Sequence, residues 1–308
     1  MSEFGRIGLA AGGDSAEREI SLRSGRAVAE ALDSLGLSYD WLDGPRAVIE
    51  SAMDGKIDRV LNMLHGRGGE DGCLQGAMRI LDIPMTGSAQ TGSALAMDKL
   101  QSKRLWRVCA LPTPDWRAVD SCDQAEQVLD DLQPPLFVKP AREGSSVGMT
   151  RVLERGQLRR AIERGLEHDR VVLVERMIEG HEYTAALIEG QALPLIRIQT
   201  PREFYDYDAK YQAHDTQYHC PCGLPEDQES QLQALAVQAF EMLGCSGWGR
   251  VDFMLDGQHQ PWLLEANTVP GMTNTSLVPM AAKAAGISFP QLVECILLTS
   301  MNAEEIAA

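Results

Sequence analysis

The chain has 308 residues, 44% of them hydrophobic, and carries a formal net charge of −16 at pH 7. This length allows two or three compact units with a large buried core, which excludes a small binding module. The acidic balance argues against a protein that tracks a phosphate backbone, because such binding needs clustered Lys and Arg, so we expect no nucleic-acid partner.

Strands and helices alternate in the first 93 residues. The predicted elements are strands at 5–11, 38–42 and 59–64 and helices at 15–35 and 72–81. Alternation of this kind predicts a parallel sheet with helical crossovers. We therefore predict an N-terminal α/β domain that binds substrate over residues 1–93.

A central unit is predicted over residues 94–180. Its predicted elements are helices at 97–108, 122–132 and 156–167 and strands at 136–139, 150–153 and 171–176. The prolines of the sequence LPTPDW, which follows Ala110, end the first of these helices. These elements indicate a small α+β unit that can move against its neighbours.

The remaining residues, 181–308, are predicted to form a C-terminal unit. Its elements are strands at 182–189 and 192–199, a polar Tyr-rich segment at 202–222, a helix at 225–243, a hairpin at 248–267 and a final helix after Pro290. No uncharged apolar run reaches the roughly 18 residues of a membrane-spanning helix, so we expect no membrane partner.

The hairpin at 248–267 has the most informative chemical pattern. A turn at Asp256-Gly257 pairs Leu255 with Trp262, Asp252 with Glu265 and Arg250 with Asn267, and it places Val251, Phe253, Leu255, Trp262, Leu264 and Ala266 on the opposite, apolar face. Carboxylates opposed across strands have Cβ atoms roughly 4.5–5.5 Å apart and repel each other, so a cation is expected between them. Asp, Glu and Asn supply the oxygen ligands that magnesium prefers. The alternative is a solvated hairpin in which Arg250 only neutralises Asp252.

A glycine-rich loop follows the strand at 136–139. It contains Gly144, Ser145, Ser146 and Gly148. Its backbone N–H groups and hydroxyls suit an anion, with Lys139 just before the loop and Lys99 as a second cation. The loop is not a Walker A sequence, so an ordinary turn and a solvated Lys99 remain the alternatives.

Two further loops follow predicted strands of the N-terminal domain. Glu17 lies in the first turn of a helix, and the alternative there is a capping box with Asp14. His65 precedes a cluster of glycines at a carboxyl end of the sheet, where ligands of open α/β sheets bind.

The seven cysteines are scattered through mostly apolar segments, and no signal peptide precedes Gly5. This pattern indicates reduced cysteines and a cytoplasmic protein. A candidate zinc set consists of His214, His219, Cys220 and Cys222. We disfavour it because a C-x-C spacing with an intervening proline is not that of a zinc finger.

Seven segments, in chain order, resemble those of the D-alanine:D-alanine ligases of the ATP-grasp superfamily. They are GGDSAEREIS, LHGRGGEDG, SALAMDK, FVKPAREGSSVGM, FYDYDAKY, GWGRVDFML and LLEANTVPGMTNTSLVPM. The match spans almost the whole chain. The resemblance implies a three-domain α/β (α+β) ATP-grasp architecture, with an N-terminal parallel-sheet domain and ATP held between the central and C-terminal domains.

The resemblance also implies a reaction, the ATP-dependent ligation of two D-alanines for peptidoglycan precursor synthesis. ATP phosphorylates the carboxylate of the first D-alanine, the amine of the second attacks the acyl phosphate, and phosphate leaves. The implied partners are ATP and two D-alanine molecules, the implied cofactors are two Mg²⁺ ions with Mn²⁺ as a substitute, and the implied assembly is a homodimer.

The residue roles that the resemblance implies fall into three groups. The metal ligands are Asp252, Glu265 and Asn267. The nucleotide contacts are Lys99, Lys139, Ser146 and Lys210 at the phosphates, Glu175 and the backbone of Ile178 at the adenine, and Glu182 at the ribose. The substrate-binding residues are Glu17 at the first ammonium, His65 near the first carboxylate, and Ser276 and Leu277 at the second carboxylate. The oxyanion is stabilised by Arg250 and the N–H of Gly271. Glu17, Ser145 and Tyr211 form a link that closes the site. On this assignment Arg250 stabilises the oxyanion and is not the counter-ion of the metal ligands.

Some positions bear on specificity. Tyr211 favours the dipeptide, because relatives that make the D-lactate ester often have Phe there. Val269 stands where relatives often have Ser, and Arg176-Met177 replaces a common Lys-aromatic pair beside the adenine. Ligation of another acceptor, such as D-lactate or D-serine, is the closest alternative function. A non-catalytic nucleotide-binding protein is the alternative of another class.

Overall fold

The structure is a computed structural model that describes residues 3–144, 146–200 and 216–301. The helices are α1 (Arg18–Ser34), α2 (Gly44–Met53), α3 (Cys73–Ile80), α4 (Gln90–Met97), α5 (Lys99–Val108), α6 (Ala125–Asp131), α7 (Leu158–Leu166), α8 (Glu226–Met242), α9 (Leu277–Ala284) and α10 (Phe289–Leu298). The strands are β1 (Ile7–Ala11), β2 (Tyr39–Asp43), β3 (Arg59–Asn62), β4 (Trp116–Val119), β5 (Leu136–Pro140), β6 (Thr150–Val152), β7 (Val172–Arg176), β8 (Gly180–Ile188), β9 (Gln191–Ala192), β10 (Ile196–Gln199), β11 (Gln217–His219), β12 (Trp248–Asp256) and β13 (Pro261–Asn267).

The N-terminal sheet is parallel, with the strand order β2-β1-β3. All five residues of β1 are buried, as expected for a parallel strand with both faces covered. The carboxyl ends of β1 and β3 lie at one edge of the sheet, so the segments that follow them bring Glu17 and His65 together. The parallel sheet was predicted correctly. Helix α2, which has a proline in its first turn, was not predicted.

The central sheet is antiparallel, with the strand order β4-β7-β5-β6. Strand β4 was not predicted, because the prolines of residues 111–116 indicated only the end of a helix. The predicted helix at 97–108 corresponds to α5, and α4, which ends next to it at Asp98, was not predicted. The Asp98 carboxylate accepts hydrogen bonds from the N–H groups of Leu100 and Gln101 and so caps α5. Lys99 therefore lies at the start of α5.

The C-terminal sheet is antiparallel, with the strand order β11-β10-β8-β12-β13 and β9 paired to β8. Helix α9 was not predicted, whereas the final helix, α10, begins one residue before Pro290. Within the described ranges no single helix is long and apolar enough to cross a membrane, although α9 and α10, bent by 106°, reach that length and hydropathy together.

The buried core is not divided evenly among the sheets. One cluster joins β1 and α1 of the N-terminal sheet to β12, α9 and α10, with Leu9 and Val28 packed in the same core as Trp248, Val278 and Ile296. The central sheet packs against α6 and α7 around a core of its own. Each of the three sheets lies almost entirely within one predicted domain, but α4 crosses residue 93, β8 begins at Gly180, and the domain boundaries stay predictions.

The hairpin of β12 and β13 has the predicted register at the site end and a different one near the turn. Asp252 pairs with Glu265 and Arg250 pairs with Asn267, as predicted. The register then shifts by one residue after Asp252, so Leu255 pairs with Pro261 and not with Trp262. The bulge buries Leu263 completely and leaves Leu264 and Trp262 only partly buried, so their predicted place on the apolar face is wrong.

Candidate active site

Two cavities meet where the carboxyl ends of β1, β3 and β13 lie close to the amino-terminal half of β12. The smaller, polar cavity has a volume of about 120 Å³, and the larger cleft has a volume of about 480 Å³. Both are lined by Lys99, Glu143 and Glu265. Groups bound in the two cavities would therefore meet at these three side chains.

The polar cavity brings together most of the residues predicted to bind amino acids. Its lining includes Glu17, His65, Arg250, Gly271, Ser276 and Leu277. Glu17 stands at the N-cap of α1 without a side-chain capping hydrogen bond, so the alternative of a capping box is wrong. A Cβ atom at Gly144 would lie 2.7 Å from Glu17 Oε2, so the glycine-rich loop can approach Glu17 this closely only with glycine at that position.

The imidazole of His65 is buried and has a partner at each ring nitrogen. Nδ1 lies 2.7 Å from the carbonyl oxygen of Val269, and Nε2 lies 3.0 Å from Ser24 Oγ. Burial lowers the pKa of His65, so the ring is neutral. Because the Val269 carbonyl can only accept, Nδ1 carries the proton and Nε2 accepts from the Ser24 hydroxyl. Sequence reasoning did not identify Ser24.

Glu70 lines the same cavity and was also not singled out from the sequence. The two oxygens of its carboxyl group accept hydrogen bonds from the N–H of Gly66 at 2.6 Å and from the N–H of Val269 at 3.2 Å. Burial and the nearby Glu17 raise the pKa of Glu70 to about 8, against the opposing effect of these N–H groups and of Arg250. The signal in the sequence was an acidic residue inside the glycine cluster after His65.

The carboxylate of Asp252 is 5% exposed and is surrounded by donors. Arg250 donates from Nε and NH2 at 2.8 and 2.7 Å, Thr184 Oγ1 donates at 2.6 Å, and Asn267 Nδ2 donates at 3.1 Å. The hairpin is therefore not a solvated ribbon. The expectation that Arg250 is not the counter-ion of the metal ligands is wrong for this structure, because its guanidinium forms a two-point ion pair with Asp252 while it also lines the polar cavity.

Glu265 and Lys99 form the junction between the two cavities. Lys99 Nζ lies 3.2 Å from Glu265 Oε2 and donates to the carbonyl of Glu143 at 2.7 Å. The Lys99 side chain is only 12% exposed, so the alternative of a solvated lysine is wrong. The exposed Arg67 holds the side chain of Glu143 at 2.6 Å and ties the glycine-rich loop to the N-terminal sheet.

The larger cleft contains the described residues predicted to bind nucleotide. Its lining includes Lys99, Lys139, Ser146, Glu175, Ile178 and Glu182, together with Asp252 and Glu265. Lys139 Nζ lies 3.2 Å from Glu175 Oε1, and the fully buried Lys103 lies 2.9 Å from Glu175 Oε2. Glu175 thus holds two lysines. Burial is the largest single effect on the pKa of Glu175 and raises it. The two lysines together outweigh burial, so the pKa lies below its ordinary value. Lys103 was not identified from the sequence.

The far wall of the cleft shows how the Arg176-Met177 departure is accommodated. The Arg176 guanidinium lies 4.9 Å from the centre of the Trp262 ring. The indole N–H of Trp262 donates to Asp256 Oδ2 at 2.9 Å, which fixes the ring. Arg176, Met177 and Ile178 all line the cleft.

Ser276 is the N-cap residue of α9. Its hydroxyl accepts from the N–H of Thr273 at 2.9 Å and lies 2.8 Å from Thr273 Oγ1, so the turn before the helix is fixed. A Cβ atom at Gly271 would lie 3.0 Å from Ser276 Oγ, so these two residues are direct neighbours in the wall of the polar cavity.

Several predicted residues lie outside the described ranges. They are Ser145, Lys210, Tyr211 and His214. Ser146, next to the first of them, has a φ of 61° and lines the cleft. Among the described residues no group of three His, Cys, Asp or Glu side chains is arranged to hold a metal ion. The predicted metal site differs in kind, since it consists of two carboxylates and an amide.

The chain is similar to known proteins over most of its length. Residues 105–298 match the family model described as D-ala D-ala ligase C-terminus. The chain is 53% identical over 299 residues to a D-alanine–D-alanine ligase of Methylococcus capsulatus, across 97% of both chains. It is 50% identical over 304 residues to that of Pseudoalteromonas atlantica, across 97% of this chain and 96% of the relative. The chain belongs to the D-alanine–D-alanine ligase family.

Solved structures of this family have the same fold. The ligase of Bacillus anthracis superposes with a TM-score of 0.86 at 36% identity, covering 99% of this chain and all of that chain. A structure of that enzyme complexed with ATP superposes with a TM-score of 0.84 at 33% identity over the same shares. VanG D-Ala:D-Ser ligase from Enterococcus faecalis superposes with a TM-score of 0.85 at 28% identity, covering 96% and 99%. The predicted family and the predicted mixed α/β, ATP-grasp fold class are confirmed.

Proposed function

We propose that the chain ligates two D-alanines to D-alanyl-D-alanine at the expense of ATP, through a D-alanyl phosphate, for peptidoglycan precursor synthesis. The observation that supports this best is the junction at Lys99 and Glu265, where the amino-acid-sized cavity opens into the nucleotide-sized cleft. The γ-phosphate of ATP and a carboxylate would meet there. Membership of the D-alanine–D-alanine ligase family supports the same substrates.

The reaction needs an activated carboxyl group, because a carboxylate is a poor electrophile at neutral pH. A carboxylate oxygen of the first D-alanine forms a bond to the γ-phosphorus as the bond to ADP breaks. The amine of the second D-alanine then attacks the acyl carbon and loses a proton, and inorganic phosphate leaves with the carboxylate oxygen. Each dipeptide therefore costs one ATP.

The side chains of the polar cavity would orient the amino acids. Glu17, beside the glycine-rich loop, would bind the first ammonium group. Arg250 and the N–H of Gly271 would stabilise the oxyanion that forms at the acyl carbon, where loss of one donor typically costs about 2.7–4 kcal/mol. Ser276 and Leu277, at the start of α9, would receive the second carboxylate. Glu17, Ser145 and Tyr211 would link the closed site.

We also propose that Asp252, Glu265 and Asn267 hold two Mg²⁺ ions, with Mn²⁺ as a substitute. The donor set fits, because Asn267 donates to Asp252 through Nδ2 and keeps its carbonyl oxygen for a cation. The ion pairs with Arg250 and Lys99 now balance the two carboxylates. Bound magnesium would neutralise charge on the β- and γ-phosphates.

The lysines and the segment between β7 and β8 would bind the nucleotide. Phosphate contacts are proposed for Lys99, Lys139, Ser146 and Lys210, adenine contacts for Glu175 and the backbone of Ile178, and a ribose contact for Glu182. The pairing of Lys139 with Glu175 supports this arrangement, because the carboxylate holds the lysine at the wall of the cleft.

Three coarser proposals concern the whole chain. The seven cysteines are free, which supports a reducing, cytoplasmic location. The three sheets support domains over residues 1–93, 94–180 and 181–308. Assembly as a homodimer is proposed from the family resemblance alone.

Isotope transfer tests the proposed chemistry. The purified chain is supplied with ATP, Mg²⁺ and D-alanine labelled with ¹⁸O in the carboxylate, and phosphate and dipeptide are analysed by mass spectrometry. One labelled oxygen is expected in each phosphate, with one phosphate for each dipeptide. Phosphate without label would refute the acyl phosphate, and absence of dipeptide would refute the substrate assignment.

Ligation to another acceptor is the second candidate, because the D-Ala:D-Ser ligase superposes on this chain as well as a D-alanine–D-alanine ligase does. Fold alone does not separate the two. Competition between D-alanine, D-serine and D-lactate as second substrate, read as the ratio of products, decides between them, and we expect D-alanyl-D-alanine to dominate.

A further inference from the structure

The segment between β13 and α9 carries Gly271. We call its first part, residues 268–272, the oxyanion loop. No hydrogen-bond partner for the Gly271 N–H occurs among residues 3–144, 146–200 and 216–301. An N–H group stabilises an oxyanion only where its position is fixed in advance.

The peptide groups on both sides of Val269 are held by the N-terminal domain. The N–H of Val269 donates to Glu70 Oε1 at 3.2 Å, and its carbonyl accepts from His65 Nδ1 at 2.7 Å. The next residue, Pro270, has no N–H and a restricted φ, which limits how the chain can leave this anchor.

The other end of the loop, at Met272, is also held by a residue of the N-terminal domain. The N–H of Met272 donates to Ser24 Oγ at 3.0 Å, and the Ser24 hydroxyl donates in turn to His65 Nε2 at 3.0 Å. Ser24 is completely buried in α1. One serine and one histidine thus join the two anchored peptide groups in a single hydrogen-bonded chain.

The side chains of the oxyanion loop also separate two anchored residues from the residues between them. Val269 and Met272 are 4% and 0% exposed and pack in the core shared by the N-terminal and C-terminal sheets. Pro270 and Gly271, between them, line the polar cavity. The burial of Val269 also explains why an apolar residue is suitable at this position.

We infer that Ser24, His65 and Glu70 form a clamp that positions the N–H of Gly271 for oxyanion stabilisation. They are positioning residues, since they act on the loop and not on the substrate. This inference rests on the proposed function, and it changes the role expected for His65. Both ring nitrogens are already bonded within the clamp, so the histidine does not need to contact the first carboxylate.

A pair of serines on one helix tests the clamp. Ser24→Ala removes the bonds to Met272 and His65. The matched control, Ser21→Ala, removes an equally buried hydroxyl that accepts from the N–H of Gly12 at 2.8 Å and donates to the carbonyl of Met63 at 2.6 Å. Both variants lose two buried hydrogen bonds, but only Ser24→Ala releases the oxyanion loop.

We expect Ser24→Ala to lower kcat by about 10–100-fold, because a displaced donor loses part of what a deleted one would lose. The KM for the first D-alanine should stay within about twofold, since no substrate contact is removed. Ser21→Ala should keep near-normal kcat at a similar loss of thermal stability. Equal losses of kcat in the two variants, or a loss confined to KM, would overturn the clamp.

Hydrogen exchange of residues 268–272 separates this inference from the proposed function. The backbone N–H of Met272, which loses its acceptor, should exchange faster in Ser24→Ala than in Ser21→Ala, whatever reaction the wild-type chain catalyses. Equal exchange in the two variants would refute the clamp even if D-alanyl-D-alanine is formed. Faster exchange in Ser24→Ala without dipeptide synthesis by the wild type would refute the function and leave the clamp standing.

Discussion

The polar cavity and the nucleotide-sized cleft are built in different ways. The polar cavity lies where the N-terminal and C-terminal sheets share one hydrophobic core, and hydrogen bonds that involve Ser24, His65 and Glu70 cross that contact. The cleft lies between the C-terminal sheet and the central sheet, which has a core of its own. The first site therefore lies within one shared core, whereas the second lies on a boundary between two cores.

This difference suits the two ligands. Acyl transfer depends on placing an oxyanion donor within tenths of an ångström, which a shared core and a clamp achieve. A nucleotide must enter and leave a cleft of about 480 Å³, which a separately packed unit allows. The junction at Lys99 and Glu265 belongs to both cavities, so changes there should affect both functions.

The largest effect is expected at this junction, from Glu265→Gln. The variant keeps the shape of the side chain and removes the charge that faces Lys99 and the proposed magnesium. Loss of several kcal/mol of metal-dependent stabilisation should lower kcat by at least about 10³-fold with the fold intact. Steady-state kinetics and thermal unfolding measure the two properties, with the exposed Glu241→Gln as control. Near-normal turnover would refute the metal assignment.

Lys103→Met should perturb the cleft and leave the polar cavity unchanged. Lys103 and Glu175 are 0% and 2% exposed, so the variant leaves a buried carboxylate with Lys139 as its remaining ion-pair partner among the described residues. Removing one partner of a buried pair typically costs about 3–5 kcal/mol of stability. Urea unfolding measures this loss, and the exposed Lys56→Met serves as control.

The same Lys103→Met variant should bind ATP more weakly, because Glu175 no longer holds Lys139 in place. Its affinity for D-alanine in the absence of nucleotide should not change, since the polar cavity does not contain Lys103. Calorimetric titration with each ligand tests this. Equal weakening of both would mean that the two cavities are not independent.

Glu70 offers a pH test of the polar cavity. Its pKa is raised from 4.5 to about 8 by burial and by Glu17, so the folded chain holds a proton that the unfolded chain loses near pH 4.5. The stabilising contribution is complete below pH 4.5 and is lost as the pH rises to about 8, with a slope of at most about 1.4 kcal/mol per pH unit. Glu70→Gln should remove this slope.

Urea unfolding from pH 5 to pH 8 measures the Glu70 effect. The solvent-exposed variant Glu50→Gln should keep the slope of the wild type. A slope that survives in Glu70→Gln would mean that another group binds the proton, and the assignment to Glu70 would be wrong.

The sequence predicts the part of the site that depends on local pattern. Alternation along the hairpin was sufficient to pair Asp252 with Glu265, and glycine and histidine after predicted strands located the edge of the N-terminal sheet. The bulge was not predictable, because Leu263 and Leu264 are identical in type and the pattern does not say which one turns inward.

Residues that act through distant partners could not be predicted from the sequence. Lys103 lies in a charged helical segment and becomes a buried residue only because Glu175 arrives from β7. Ser24 is a polar residue in a helix, and its partner Met272 is 248 residues away. Hydrophobic periodicity and local motifs contain no record of such contacts.

The smallest effect is expected from Arg176→Ala at the far wall of the cleft. The guanidinium lies 4.9 Å from the centre of the Trp262 ring, and both residues are at least partly exposed. An exposed cation–π contact is worth about 0.5–1 kcal/mol, so its loss should weaken ATP binding by roughly two- to fivefold if the contact shapes the adenine pocket. The matched control is Arg107→Ala, because Arg107 lies 5.0 Å from the Trp116 ring centre and outside the cleft.

Titration of both variants with ATP and with GTP measures the contribution of Arg176 to nucleotide binding. Equal affinities in the two variants would show that Arg176 stabilises the wall without contributing to nucleotide binding.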